Sequence, residues 1–323
     1  AMWEPVLAEV AAALPAWLAQ VPARQVPTRA DARAFQPAAI EVVTADRYQL
    51  AGEAARSDQI QVAATGDGRV AARRHAQAEA ALHAGFAAHQ AGRLDEAQAA
   101  YRKVLDLEPE HPDAWHLVGV IHGARKEHEP AVAAIRRALA AKPGDPVYLG
   151  NLGIALAGAG RHAEAAEAYR EALAGDPSAS GIAYNLGNAL TEEYRFEEAA
   201  AAYRKAIELR PDYVAAWLNL GNALREKGAF DEALAAYGKV LELQPDHSGG
   251  LLNLGNLRRE LGEPTAAREL LAKVTEREPA NFRAWNNLGS TRRELGDLPG
   301  ALAAYRRCLE IAPDHAEGHL NLA

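Results

Sequence analysis

Proline returns every 34 residues, at Pro109, Pro143, Pro177, Pro211, Pro245, Pro279 and Pro313, and this period constrains the chain more than any other feature. Counting these prolines as position 32 of a 34-residue unit divides the chain into 78–111, 112–145, 146–179, 180–213, 214–247, 248–281 and 282–315, with a truncated eighth unit from 316. Position 8 is then Gly85, Gly119, Gly153, Gly187, Gly221, Gly255 and Gly289, and position 20 is alanine in every unit, from Ala97 to Ala301. Such a period marks a stacked architecture in which each unit buries its apolar face only against its neighbours.

Each unit carries two helical patterns. In the fifth, Trp217, Leu220, Gly221 and Leu224 recur at spacings of three and four, which predicts a helix over 214–227 with Gly228 at a left-handed C-cap. A second helix is predicted over 231–243, with Ala233, Tyr237 and Val240 on its stripe and Pro245 as its stop, because proline lacks the amide donor and clashes with the preceding turn. The glycine of the first helix is expected to face the alanine of the second. Composition agrees with thin helical layers: the 49% hydrophobic content is swollen by alanine, with five Phe and one Met.

A bulky position 4, Leu at 7, Gly at 8, Ala at 20, an aromatic at 24 (Tyr101, Tyr169, Tyr203, Tyr237 and Tyr305) and Pro at 32 resemble the tetratricopeptide repeat. The resemblance implies an all-α fold, a right-handed superhelical α-solenoid over 78–323 whose concave wall is lined mainly by first helices. Residues 1–77 are then an N-terminal helical and irregular extension. The truncated eighth unit, ending in HLNLA, gives the expectation of a chain cut from something longer.

Asparagine, a poor helix former, occupies position 6 as Asn151, Asn185, Asn219, Asn253, Asn287 and Asn321, and position 9 as Asn188, Asn222 and Asn256, with Ser290 after them. Positions 2, 6, 9 and 13 share one helical face, and 4, 7, 8 and 11 the opposite, apolar one. The asparagines therefore point away from the core of their own unit. A side-chain amide offers two donors and an acceptor, enough to pair with the N–H and C=O of an extended peptide. Helices packed about 8–10 Å apart, beside a strand advancing about 3.3 Å per residue, would place one Asn at roughly every third residue.

The peptide-binding set expected is Asn151, Asn185, Asn188, Asn219, Asn222, Asn253, Asn256 and Asn287. Arg225, Arg259 and Arg293 at position 12 form its rim, beside Glu226, Glu260 and Glu294. The same column also suits amides that bridge neighbouring helices, and the charges also suit solvated surface pairs; the length of the column and its flanking charge favour the peptide. A comparable asparagine column is found in the repeat region of O-linked N-acetylglucosamine transferases, which NLGNAL and EEAAAAYRKAIELRPD resemble. That resemblance implies substrate recognition for a larger protein glycosyltransferase, with no catalytic domain in this chain. The alternatives are a freestanding or self-associating assembly scaffold, or an enzyme whose N-terminal extension contributes to a site. The family's chaperone-tail clamp is set aside, because positions 5 and 2 hold no lysine in any unit.

Other chemistry is sparse. The formal charge of -8 opposes a phosphate backbone, which excludes bulk nucleic-acid binding. Cys308 is the one cysteine, so an internal disulfide or thiolate metal cluster is excluded, and its place on the second-helix stripe predicts a buried thiol. His83, His89, His111, His116, His122 and His128 crowd the first two units without an i, i+4 chelating pair, and are read as surface or groove residues. No cofactor, metal or membrane segment is expected, and the expected location is cytoplasmic. Near the N-terminus, Trp3, Val6, Leu7, Val10, Leu14, Trp17, Leu18 and Val21 predict an amphipathic helix over about 3–21. This helix is read either as a cap on the first repeat or as a docking or homodimerising element, matched to the apolar stretch around Phe86, Leu117 and Val120.

Overall fold

The computed structural model describes residues 66–322, which form fifteen helices and no strand. They are α1 (Gly66–Gln90), α2 (Leu94–Leu107), α3 (Pro112–Ala124), α4 (His128–Ala141), α5 (Pro146–Gly158), α6 (His162–Gly175), α7 (Ser180–Glu192), α8 (Phe196–Leu209), α9 (Val214–Lys227), α10 (Phe230–Leu243), α11 (Ser248–Glu260), α12 (Pro264–Arg277), α13 (Phe282–Glu294), α14 (Leu298–Ile311) and α15 (Ala316–Leu322). Odd-numbered helices are the first of each unit. The amphipathic helix expected over 3–21, and any dimer through it, lie outside the described residues.

The boundaries follow from local chemistry. Each second helix stops one residue before the residue that precedes its proline, and that residue is extended, as at Gln244 with φ −139° and ψ 89°, because the following proline ring excludes the helical region there. Helix α9 spans Val214–Lys227, with Gly228 left-handed at φ 84°, as the sequence predicts. At the equivalent place in two units a residue with a side chain is forced into the same conformation, Lys126 at φ 61° and Tyr194 at φ 59°. Helix α1 runs unbroken across the expected 77/78 boundary. Its extra turns are held by Arg74, which donates to the Leu107 carbonyl, and by His75, which pairs with Glu108 at 2.8 Å.

Every second helix is wedged between its own first helix and the next one, and from α3 onward successive first helices also touch each other. Second helices of neighbouring units do not approach one another comparably. The stack is an α-solenoid that closes up on the first-helix side and opens on the other. Its core runs through the middle units, with Tyr148, Tyr184, Tyr203 and Tyr237 fully enclosed.

One packing expectation is extended. The glycine at position 8 meets chiefly the side chain at position 24 rather than the alanine at position 20: a Cβ on Gly187 would lie 2.5 Å from the Tyr203 ring, and one on Gly221 would lie 2.5 Å from Tyr237. Where position 24 is not aromatic, the position-20 alanine also lies against the glycine: the Ala131 carbonyl would be 3.1 Å from a Cβ on Gly119, and that of Ala267 3.5 Å from one on Gly255. The indoles at position 4 reach back to the preceding unit, Trp217 Nε1 donating to the Pro211 carbonyl at 2.9 Å and Trp285 Nε1 to that of Pro279 at 3.0 Å.

Candidate peptide-binding face

The asparagine column lies along the seams between successive first helices, and most of its amides are engaged there. Tyr203 donates its hydroxyl to Asn188 Oδ1 at 2.8 Å, and Asn219 Nδ2 donates to the same oxygen at 3.0 Å from the next unit. Asn219 Nδ2 also donates to the Tyr184 hydroxyl at 3.1 Å. The relay repeats one unit on, where Tyr237 and Asn253 Nδ2 both donate to Asn222 Oδ1 at 2.8 Å. Asn151 pairs with His116 Nε2 at 2.8 Å, and Asn321 donates to Asn286 Oδ1 at 3.0 Å. Spacing along a helix shows which face a residue is on. It does not show that an amide reaches the next helix.

Burial sorts the column further. Asn219 is only 5% exposed, whereas Asn151, Asn185, Asn188, Asn222, Asn253, Asn256 and Asn287 are half-buried. Asn185 and Asn287 have no side-chain hydrogen bond among the described residues. For Asn185 the cause is visible in the preceding unit, where positions 5 and 9 are Gly150 and Ile154. For Asn287 the preceding position 9 is Asn256, whose Oδ1 is enclosed and receives no donor. Leu271 stands there in place of the donating tyrosine.

Burial drives the Tyr203 phenol far above its ordinary pKa, so it stays protonated and supplies the hydrogen that the Asn188 amide oxygen, an acceptor only, receives. The rim residues pair across units: Arg225 with Glu260, and Arg259 with Glu294 at 2.8 Å, each arginine reaching the glutamate 35 residues on. The hydrogen bonds that Arg225 donates to the Glu260 carboxylate raise the Arg225 pKa further. With side chains 31% and 36% exposed, this pair is worth well under about 1 kcal/mol. Arg293 is exposed and has no ion-pair partner among the described residues.

Of the histidines, His116 is fully buried and stacked 4.5 Å from Tyr148, which corrects its reading as a surface or groove residue. His111 caps α3 by accepting the Ala114 amide at 3.3 Å. Among the described residues no group of three or more His, Cys, Asp or Glu is placed to hold a metal ion, and no helix is long and apolar enough to cross a membrane. Cys308 is fully buried, and its thiol is shifted up by that burial.

A tetratricopeptide-repeat model matches residues 87–146 and 151–212, and the tetratricopeptide domain of cytochrome c-type biogenesis protein H matches 196–319. The chain is a tetratricopeptide-repeat protein. Solved tetratricopeptide structures share its fold. The C-terminal part of a repeat protein from Cytophaga hutchinsonii is 17% identical over 75% of this chain and 99% of its own, with a TM-score of 0.61. A repeat protein from Parabacteroides merdae is 15% identical over 76% and 97%, with a TM-score of 0.57. The pilF protein of Pseudomonas aeruginosa is 23% identical over 66% and 96%, with a TM-score of 0.55. No curated protein sequence matches the chain. Tetratricopeptide units are protein-interaction modules, and their first helices supply the face described above.

Proposed function

We propose that the solenoid holds an extended polypeptide segment along the face made by its first helices. The observation that carries this reading is a column of amides, half-buried at every position but the buried Asn219, that continues through successive units from Asn151 in register with the stacked helices. Amide side chains pair with peptide groups whatever side chains the peptide carries, so such a face selects for extended conformation more than for sequence. The narrower version, a recognition arm for a protein glycosyltransferase, rests on the asparagine column and on the resemblance of NLGNAL and EEAAAAYRKAIELRPD.

A displayed library of random 12-residue peptides, selected on the full chain, tests the reading. Enriched peptides should compete with one another and slow hydrogen exchange in α5, α7, α9, α11 and α13, leaving the outer faces of the second helices unchanged. A library that yields no binder, or binders that protect only second helices, sinks it.

A further inference from the structure

The column is not uniform along the solenoid. Asn151, Asn219, Asn253 and Asn321 each donate into the preceding unit, so their amides already have partners before any ligand arrives. Asn185 and Asn287 hold the equivalent position 6 and donate to nothing among the described residues. At the second of these seams two further groups lack partners, the enclosed Asn256 Oδ1, an acceptor, and the enclosed Arg259 Nε, a donor. A peptide group offers one donor and one acceptor and is complementary to that pair. Both atoms are enclosed, so a bound segment meets them only if the Asn256 amide or the Arg259 guanidinium turns outward. The half-buried Asn287 amide beside them is reachable as it stands. A peptide group there meets a seam whose polar groups the fold leaves unsatisfied, which favours binding over seams whose groups are satisfied.

Resting on the extended-peptide reading, we propose that the partner is gripped at two anchor points, Asn185 and the Asn256–Asn287 seam. The intervening asparagines serve the fold. The anchors are three units apart, and three helix-to-helix steps of about 8–10 Å correspond to roughly 7–9 residues of extended chain. The partner is therefore an extended segment at least that long. In this arrangement the segment donates a backbone N–H to the amide oxygen of Asn185 and another to that of Asn287, so proline is excluded at those two positions and tolerated between them.

Peptides selected on the full chain supply the probe, with binding read by fluorescence anisotropy. Asn185→Ala and Asn287→Ala should each weaken binding roughly tenfold without lowering the melting temperature, the loss expected for one unmatched polar contact. Arg204→Ala, on a second helix, should stay within about twofold, as expected for an exposed ion pair remote from the bound segment. Single N-methylation along one selected peptide should reveal two sensitive positions about 7–9 residues apart. Binding indifferent to Asn185 and Asn287, or N-methyl sensitivity at roughly every third residue, overturns the two-anchor proposal while leaving the extended-peptide reading standing. Failure to select any peptide overturns both.

Discussion

Tyr203 and Asn188, fifteen residues apart in one repeat, are joined by a 2.8 Å hydrogen bond whose accepting oxygen is shared with Asn219 of the next repeat. One side-chain amide thus ties the two helices of its unit to each other and to the following unit. Asn188→Ala leaves the buried phenol only its 3.2 Å contact with Thr191 among these partners. The expected cost is about 1–3 kcal/mol. Combined with Tyr203→Phe, the loss should fall short of the sum of the two single losses by about 0.5 kcal/mol or more. Urea titrations followed by circular dichroism measure this; strictly additive costs would show that the pair is not coupled.

Contact between the ring and Gly187 sets a second expectation. Gly187→Ala places a methyl 2.5 Å from the Tyr203 ring and should destabilise by about 1–3 kcal/mol through overpacking. Unit six shows what relieves it, since a Cβ on Gly255 would stand 3.0 Å from Leu271. In a Tyr203→Leu background the same Gly187→Ala change should therefore cost less. An equal cost in both backgrounds would assign the penalty to the backbone and not to the ring.

These two contacts mark where the sequence stops being informative. The columns at positions 8, 20 and 32 define the units, and helix 214–227 with its glycine cap follows from spacing and cap chemistry, because these are properties of the backbone and of one helix at a time. The partners of the asparagines are not legible in that way. Asn219 looks like Asn185 from its own helix, and the difference lies 35 residues upstream, where Tyr184 accepts from one and Gly150 offers nothing to the other. Reach between helices depends on what stands in the neighbouring unit. Inside one unit a match of position 9 with position 24 is a readable signal: the pairs Asn188 with Tyr203, Asn222 with Tyr237 and Ser290 with Tyr305 bond, and Asn256 with Leu271 does not.

Backbone strain offers a gain in stability. Tyr194 is held at φ 59° with its side chain largely exposed, in a turn where most other units have glycine. A left-handed conformation costs a residue with a side chain about 1–2 kcal/mol, part of which is offset by the greater unfolded freedom of glycine. Tyr194→Gly should accordingly raise stability by up to about 1 kcal/mol despite losing the edge contact with Phe196. The reverse experiment is Gly160→Ala: its φ is 76° and a Cβ would meet nothing within 4 Å, so only the backbone resists the change. It should lower stability by about 1 kcal/mol, and thermal melts of both variants test the two signs together.

Asn219 and Asn185 separate the structural and binding roles of the column without any ligand. Asn219 is 5% exposed and donates to two acceptors in the preceding unit. Replacing it with alanine removes both bonds in a site closed to water, for an expected loss of about 1–3 kcal/mol. Asn185 sits at the same position of its helix with no side-chain bond among the described residues, so Asn185→Ala removes nothing from the folded state. Because alanine is the better helix former by up to about 0.7 kcal/mol, the Asn185 variant should melt at or slightly above the parent temperature. Calorimetry on the two single variants decides the matter. If Asn185→Ala destabilises as much as Asn219→Ala, its amide is engaged within the fold, and only the Asn256–Asn287 seam remains to hold a partner.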